Sequence, residues 1–223
     1  MMYLRMQGHD MNNFFDQYSL TFSYHRQREQ VKDRYLSHPH FEESETDNNT
    51  FGFSLLMGTD IVDQSHLTYG VDMYNDVVDS FKNRFDATTG SFLSARNPTY
   101  PDDGWSRQTG AFVQYDKQLN DHLDVTAGTR FTRSHVRATP LLKVDNDGDP
   151  LTDPVETPVH LSPSFDNWSA SGGLAYQLNA DLMLVGSISE GFRAPNLDDL
   201  ASNNDNVQQT AADTPSIDLL PET

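Results

Sequence analysis

The chain has 223 residues, with 33 Asp and Glu against 15 Lys and Arg, a net charge of −18. That balance excludes nucleic acid as a partner and argues against docking on anionic membrane surfaces. The absence of cysteine removes disulfides and thiolate-bound metals, no apolar run approaches the ~18 residues of a membrane helix, and Met1 to Arg5 shows no secretory apolar segment. Thirteen Phe, nine Tyr and thirteen Gly favour strands and turns.

Seven segments alternate apolar and polar residues with the period of a strand. In the first, Tyr18, Leu20, Phe22 and Tyr24 alternate with Ser19, Thr21, Ser23 and His25. The polar stretch 26–49 follows and reads as a long loop. Phe51, Phe53, Leu55 and Met57 form the second strand. A shorter link leads to Leu67, Tyr69, Val71 and Met73, set against Thr68, Gly70, Asp72 and Tyr74. A second long loop is expected over 80–107. Ala111, Val113 and Tyr115 then make a strand that turns tightly at Leu119-Asn120-Asp121 into Leu123, Val125, Ala127 and Phe131. The third long loop, 138–166, holds five prolines. Trp168 to Leu178 and, after Asn179-Ala180-Asp181, Leu182 to Ile188 complete the set.

Most of these strands have about the ~9–11 residues that cross a bilayer at a tilt. Their connections alternate long and short, so an antiparallel meander would place every long loop at one end. That is the pattern of an outer-membrane barrel, with short periplasmic turns and long external loops. The alternation puts Leu123, Val125, Ala127 and Phe131 on lipid, and Asp124, Thr126 and Arg130 on a wet interior. Tyr18, Tyr24, Tyr74, Tyr115, Trp168 and Tyr176 fall near strand ends, as an interfacial aromatic girdle requires. A soluble β-sandwich shares the alternation. The charges on the polar face and the strict order of loop lengths favour the barrel.

The last strand ends in Gly191, Phe192, Arg193, Ala194, Pro195 and Asn196, where Pro195 lacks an N–H and drives Ala194 extended. This run resembles the "GFRAPN" box of TonB-dependent outer-membrane receptors. Leu220, Pro221 and Glu222 are similar to the end of that family's "NPxLxPE" box, although Ser216, Ile217 and Asp218 depart from its start. His66 to Asp72 resembles the family's "LTYGxDxY" strand. Tyr100-Pro101-Asp102 followed by Gly110 to Tyr115 resembles its "YPD…GxFxQ" pair, and Leu123 to Arg130 its "LxLxxGxR" strand. The resemblance implies residence in the outer membrane of a Gram-negative bacterium, contact with outer-membrane lipid, and no enzymatic activity. It also implies import of a scarce iron–siderophore, haem or similar ligand, using energy from a TonB-type periplasmic partner. The family's N-terminal plug with its TonB-binding box is missing, and its barrel has more than seven strands. Residues 1–223 are therefore expected to be one part of a single barrel domain.

Few residues promise chemistry. Asp145, Asp147 and Asp149 form a hard-oxygen cluster, but Gly148 is fourth rather than sixth and Pro158 occupies the twelfth place of a calcium loop, so a solvated acidic turn is expected. His38 and His40 could ligate haem iron or a metal from an external loop, though an ordinary exposed loop is the favoured reading. No histidine lies between Asn196 and Thr223, where haem-uptake members of the family carry one, whereas the "LTYG" and "YPD" forms lean toward that branch. Arg193 is expected to be structural, paired with a carboxylate or touching the plug. No Ser-His-Asp spacing, phosphate loop or HExxH site occurs, and no cofactor is expected. A secreted carbohydrate-binding sandwich is the alternative reading, and a hydrolase working through paired acids a third.

Overall fold

The computed structural model describes residues 1–9, 15–34, 38–61, 64–144, 155–202 and 215–223. Among these lie eleven strands, β1 (Met2–His9), β2 (Gln17–Arg34), β3 (His40–Ile61), β4 (Ser65–Asp86), β5 (Phe92–Arg96), β6 (Gly104–Asn120), β7 (Leu123–Arg137), β8 (Leu141–Val144), β9 (Val155–Pro158), β10 (Ser164–Asn179) and β11 (Leu182–Ser189), and one short helix, α1 (Leu197–Ala201). One sheet runs in the order β1-β2-β3-β4-β6-β7-β10-β11, with β5 pairing the far half of β4 and β8-β9 forming a separate hairpin. Every pairing is antiparallel. The expected meander is present, and the expected strands carry it.

Its dimensions differ from the sequence reading. The stretch 26–49 is no loop: β2 and β3 stay paired from Gln17↔Gly58 to Arg34↔Phe41 without a bulge. β4 likewise continues to Asp86. Hydropathy loses its period there because both faces are wet, and cross-strand pairs of opposite charge replace apolar contacts. Arg26 donates to Asp47 at 2.9 and 3.0 Å, Arg28 pairs with Glu45 at 2.6 Å, and Lys32 with Glu43 at 2.6 Å.

An eighth strand also joins the meander. In β1, Met2, Leu4 and Met6 alternate with Tyr3, Arg5 and Gln7, and pair with Tyr24, Phe22 and Leu20. The sequence reading placed no strand here, although this alternation is the signal of one.

The two faces of the sheet are chemically distinct. On the inner face the Arg130 guanidinium reaches over β6 to grip both oxygens of Asp72 at 2.8 Å each. It also donates to Thr132 at 3.1 Å. The guanidinium passes directly over Gly110, where a Cβ would run into it. Gly70 serves the same end, since a Cβ there would strike the Leu55 carbonyl and press on the Phe112 ring. The same face carries the apolar core, Val78, Val136, Ala138 and Leu161 against Leu197, Leu200 and Ala201 of α1. The outer face carries Leu20, Phe22, Phe53, Val71, Val113 and Phe131, with the Phe22–Phe53 and Phe131–Trp168 rings packed at 5.3 and 5.2 Å. Leu123, Val125 and Ala127 share the face of Phe131, and Thr126 that of Arg130, as expected. Tyr74 corrects the girdle reading. It stands on the inner face, opposite Gly52, where it fills the space a Cβ would need.

Replacing outward Val71 with Arg should destabilise the intact barrel by roughly 2–4 kcal/mol, the cost of such a charge near the bilayer midplane. Gln114→Arg on the inner face should cost far less. Urea titration in lipid vesicles measures both, and equal losses would contradict the assignment of faces.

Candidate functional site

The links from β4 to β6 and from β7 to β10, and the segment after β11, leave the same end of the sheet, and the links from β3 to β4, β6 to β7 and β10 to β11 leave the other. At the long-loop end the inner face is roofed by the segment expected to be most specific. Arg193 and Glu222 form an isolated antiparallel bridge, each N–H donating to the other's carbonyl at 3.0 Å. The two late boxes thus meet in space. The Arg193 guanidinium also donates to Asp199 at 2.9 and 3.0 Å and approaches Glu222 at 3.5 Å.

After Pro195 the chain turns helical at Leu197–Ala201. Asn196 caps α1, accepting from the Asp199 N–H at 2.9 Å, while Asp199 accepts from the Asn196 N–H at 3.1 Å. This reciprocal cap was written in the Asn-x-x-Asp spacing. Pro195, Leu197 and Leu200 are buried and press the helix on Val78 and Val136, and Gly191 and Asn196 stay exposed. Tyr100-Pro101-Asp102 also has a structural task. Asp102 accepts from the Ser80 N–H at 3.1 Å, and the Ser80 hydroxyl donates to the Tyr100 carbonyl at 2.5 Å, which pins the loop to β4.

Between this roof and the wall lies a cavity of about 270 Å³, lined by Gln27, Glu29, Thr46, Asn48, Asp76, Val78, Tyr100, Ser106, Asn196, Leu197 and Asp198. Its polar lining is rich in acceptors. Asp76 receives hydroxyls from Thr50 at 2.5 Å and Ser106 at 3.3 Å. The Asn48 amide oxygen is buried without a partner among the described residues. Burial, and next the Asp198 carboxylate, push the Tyr100 hydroxyl up. Among the described residues the lining holds no Lys or Arg, so it would favour donor-rich or cationic groups on a ligand.

A second polar centre lies on the same face. Glu42, buried, receives Arg84 at 2.7 Å and Lys82 at 3.0 Å, with Arg96 4.0 Å away. Burial pushes this carboxyl up, but hydrogen bonds from Arg84 and Lys82 outweigh it and hold Glu42 below its ordinary value. His38 and His40 lie next to this centre with ring centroids 5.2 Å apart. Burial, then the charges of Arg84 and His38, push the His40 imidazole down, toward its neutral, ligating form. No third ligating side chain among the described residues completes a metal set with them; the one such group is Asp79, Asp102 and Asp103, all exposed. Asp145, Asp147 and Asp149 lie outside the described residues.

The family profile for the TonB-dependent receptor-like β-barrel matches residues 4–223. The chain belongs to the TonB-dependent receptor family. It therefore lies in the outer membrane of Gram-negative bacteria, in a family of receptors and not of enzymes. Two solved barrels share its fold. The copper transporter OprC superposes with a TM-score of 0.73 at 17 % identity, over 89 % of this chain and 31 % of its own. The Serratia marcescens hemophore receptor HasR, solved as a double mutant with its hemophore HasA and heme, superposes with a TM-score of 0.57 at 12 % identity, over 98 % of this chain and 39 % of its own. This chain thus spans less than two fifths of the length of each. No match exists among curated proteins.

Asp199→Ala removes both a cap and the Arg193 partner. It should loosen α1 by about 1 kcal/mol, seen as faster amide exchange over 196–201; unchanged exchange would show that the roof is held by its apolar contacts alone. Because the folded Glu42 carboxyl sits below its ordinary value, its contribution is present above that value and lost as pH falls through the depressed one. Acid should therefore open the far half of β3–β4 before the apolar band. Glu42→Gln should weaken that pH dependence of exchange, the remainder coming from Glu45, Asp47 and Asp86, whose carboxyls are held low by their own hydrogen bonds.

Proposed function

We propose that the chain forms part of the barrel of an active-transport receptor that imports a scarce metal-bearing ligand, an iron–siderophore, haem or a similar chelate. The observation that carries this reading is the family match over residues 4–223, joined to an acceptor-lined cavity under two bridged family boxes at the long-loop end. In this reading the other barrel strands and a plug domain come from the rest of the receptor. A TonB-type protein supplies energy from the periplasm by way of that plug. The acceptor-rich cavity receives the ligand at the external mouth, and His38 and His40, with ring centroids 5.2 Å apart, are a pair that could contact a metal centre. The printed names of OprC and HasR, a copper transporter and a hemophore receptor bound to heme, support a metal cargo without choosing among metals.

The intact receptor should be expressed in a Gram-negative host stripped of its own iron and haem receptors. Uptake of labelled ferric siderophores, haem and copper is then followed with and without TonB. Accumulation of at least one, lost when TonB is deleted, is the expected result. Accumulation that persists without TonB, or none from any of the three classes, overturns the reading.

A further inference from the structure

The cavity under the roof is set apart by the charge of its lining. Glu29 on β2, Asp76 on β4 and Asp198 on α1 bring three carboxylates to it, and among the described residues no Lys or Arg lines it. Other carboxylates on the inner face are matched: lower on β4 Asp72 meets Arg130, and above the cavity Glu42 meets Lys82 and Arg84. Asp76 instead receives two neutral hydroxyls, from Thr50 and Ser106. The Tyr100 hydroxyl is pushed up by burial first, then by the charge and hydrogen bond of Asp198, and last by the charge of Glu29, so its proton is committed to a carboxylate. The Asn48 amide oxygen, buried in the same wall, accepts nothing among the described residues.

Size and shape narrow the occupant. The volume of about 270 Å³ falls short of the ~300–1,000 Å³ of pockets that enclose whole ligands, so the cavity takes an arm of a ligand rather than an entire metal chelate. Val78 and Leu197, both buried, form an apolar side against which a methylene stem can pack. The three carboxylates stand on separate elements and so approach from different directions. A primary ammonium has three diverging donors and meets such an arrangement, whereas a planar guanidinium fork needs two oxygens side by side. On Asp76 each oxygen already accepts a hydroxyl. A neutral amide or hydroxyl arm would leave the carboxylates without a counter-charge, and hydrogen bonds to charged partners are about twice as strong as neutral ones.

We infer that this cavity recognises a protonated primary-amine arm of the ligand, with Glu29, Asp76 and Asp198 as its acceptors and Val78 and Leu197 beside its stem. The inference rests on the transport reading for the cavity's place on the ligand's path. It adds the chemical class of the cargo, a chelate that carries a free alkylammonium group and keeps its metal core outside the cavity. A chelate whose arms are anionic or acylated would bring no counter-charge to the three carboxylates and would be discriminated against here.

The test titrates the intact receptor, in neutral-detergent micelles, with butylammonium, butanol and butyrate, followed by ligand-observed NMR. Wild type should bind butylammonium at least roughly tenfold more tightly than butanol and butyrate least, and added salt should reduce the preference. Asp76→Asn and Asp198→Asn each remove one charge at nearly constant shape. Each should weaken butylammonium at least about threefold and leave butanol within about twofold, which also cancels any partition of the probes into the micelle. Asp198 is exposed, so Asp198→Asn decides if Asp76→Asn does not fold. Equal binding of butylammonium and butanol to wild type, or a preference unchanged in the folded variants, overturns the inference. An ammonium preference without TonB-dependent uptake of any chelate would remove the transport reading alone, and uptake without an ammonium preference would remove the amine-arm inference alone.

Discussion

Backbone groups in hydrocarbon have no water to pair with, so each must find a neighbouring strand. The meander answers that constraint, and the rest of the structure follows from it. From β2 to β10 each main strand is paired on both sides, and a period of two then sorts side chains into a lipid-facing set and an inner set. β1 and β11 pair on one side among the described residues and expose apolar side chains such as Leu4 and Ile188, where the wall would continue.

Above the apolar band the same hydrogen-bond ladder runs on, but the side chains change their means of holding register. Inside the band, Gly110 and Gly70 make room for the Arg130–Asp72 grip and the Phe112 ring. Outside it, pairs such as Arg28–Glu45 and Lys82–Glu42 take over. At the mouth a small apolar core around Val136 and Leu200 returns, because α1 and its flanking loops need a buried anchor to stay on the wall. The roof is thus fixed from both directions, by packing beneath α1 and by the Arg193–Glu222 bridge beside it.

The membrane-facing half of the fold was legible because lipid demands strict alternation: Leu123 to Phe131 and Tyr18 to Tyr24 could be assigned to faces from sequence. The extensions were not. Residues 26–49 look like a loop to any hydropathy reading, and only the pairing of Arg26, Arg28 and Lys32 with carboxylates eleven to twenty-one residues later reveals a hairpin. Tyr74 was misassigned for the opposite reason, since a tyrosine at a strand end can belong to a girdle or fill a glycine notch, and only Gly52 opposite decides. Of the site, the boxes were visible as motifs, while the Asn196–Asp199 cap stood in the sequence unread. The cavity was not, because Glu29, Asp76, Tyr100 and Asp198 come from four separate stretches and meet only once the sheet curves.

β3 and β4 each have 22 residues. At about 3.4 Å per residue and a tilt near 40° each rises roughly 55 Å, against an apolar band of about 25 Å. The surplus forms a stiff collar standing tens of ångströms clear of the lipid. Anything too bulky to slip between sugar chains, whether a carrier protein, an antibody or a phage tail, would meet that collar first.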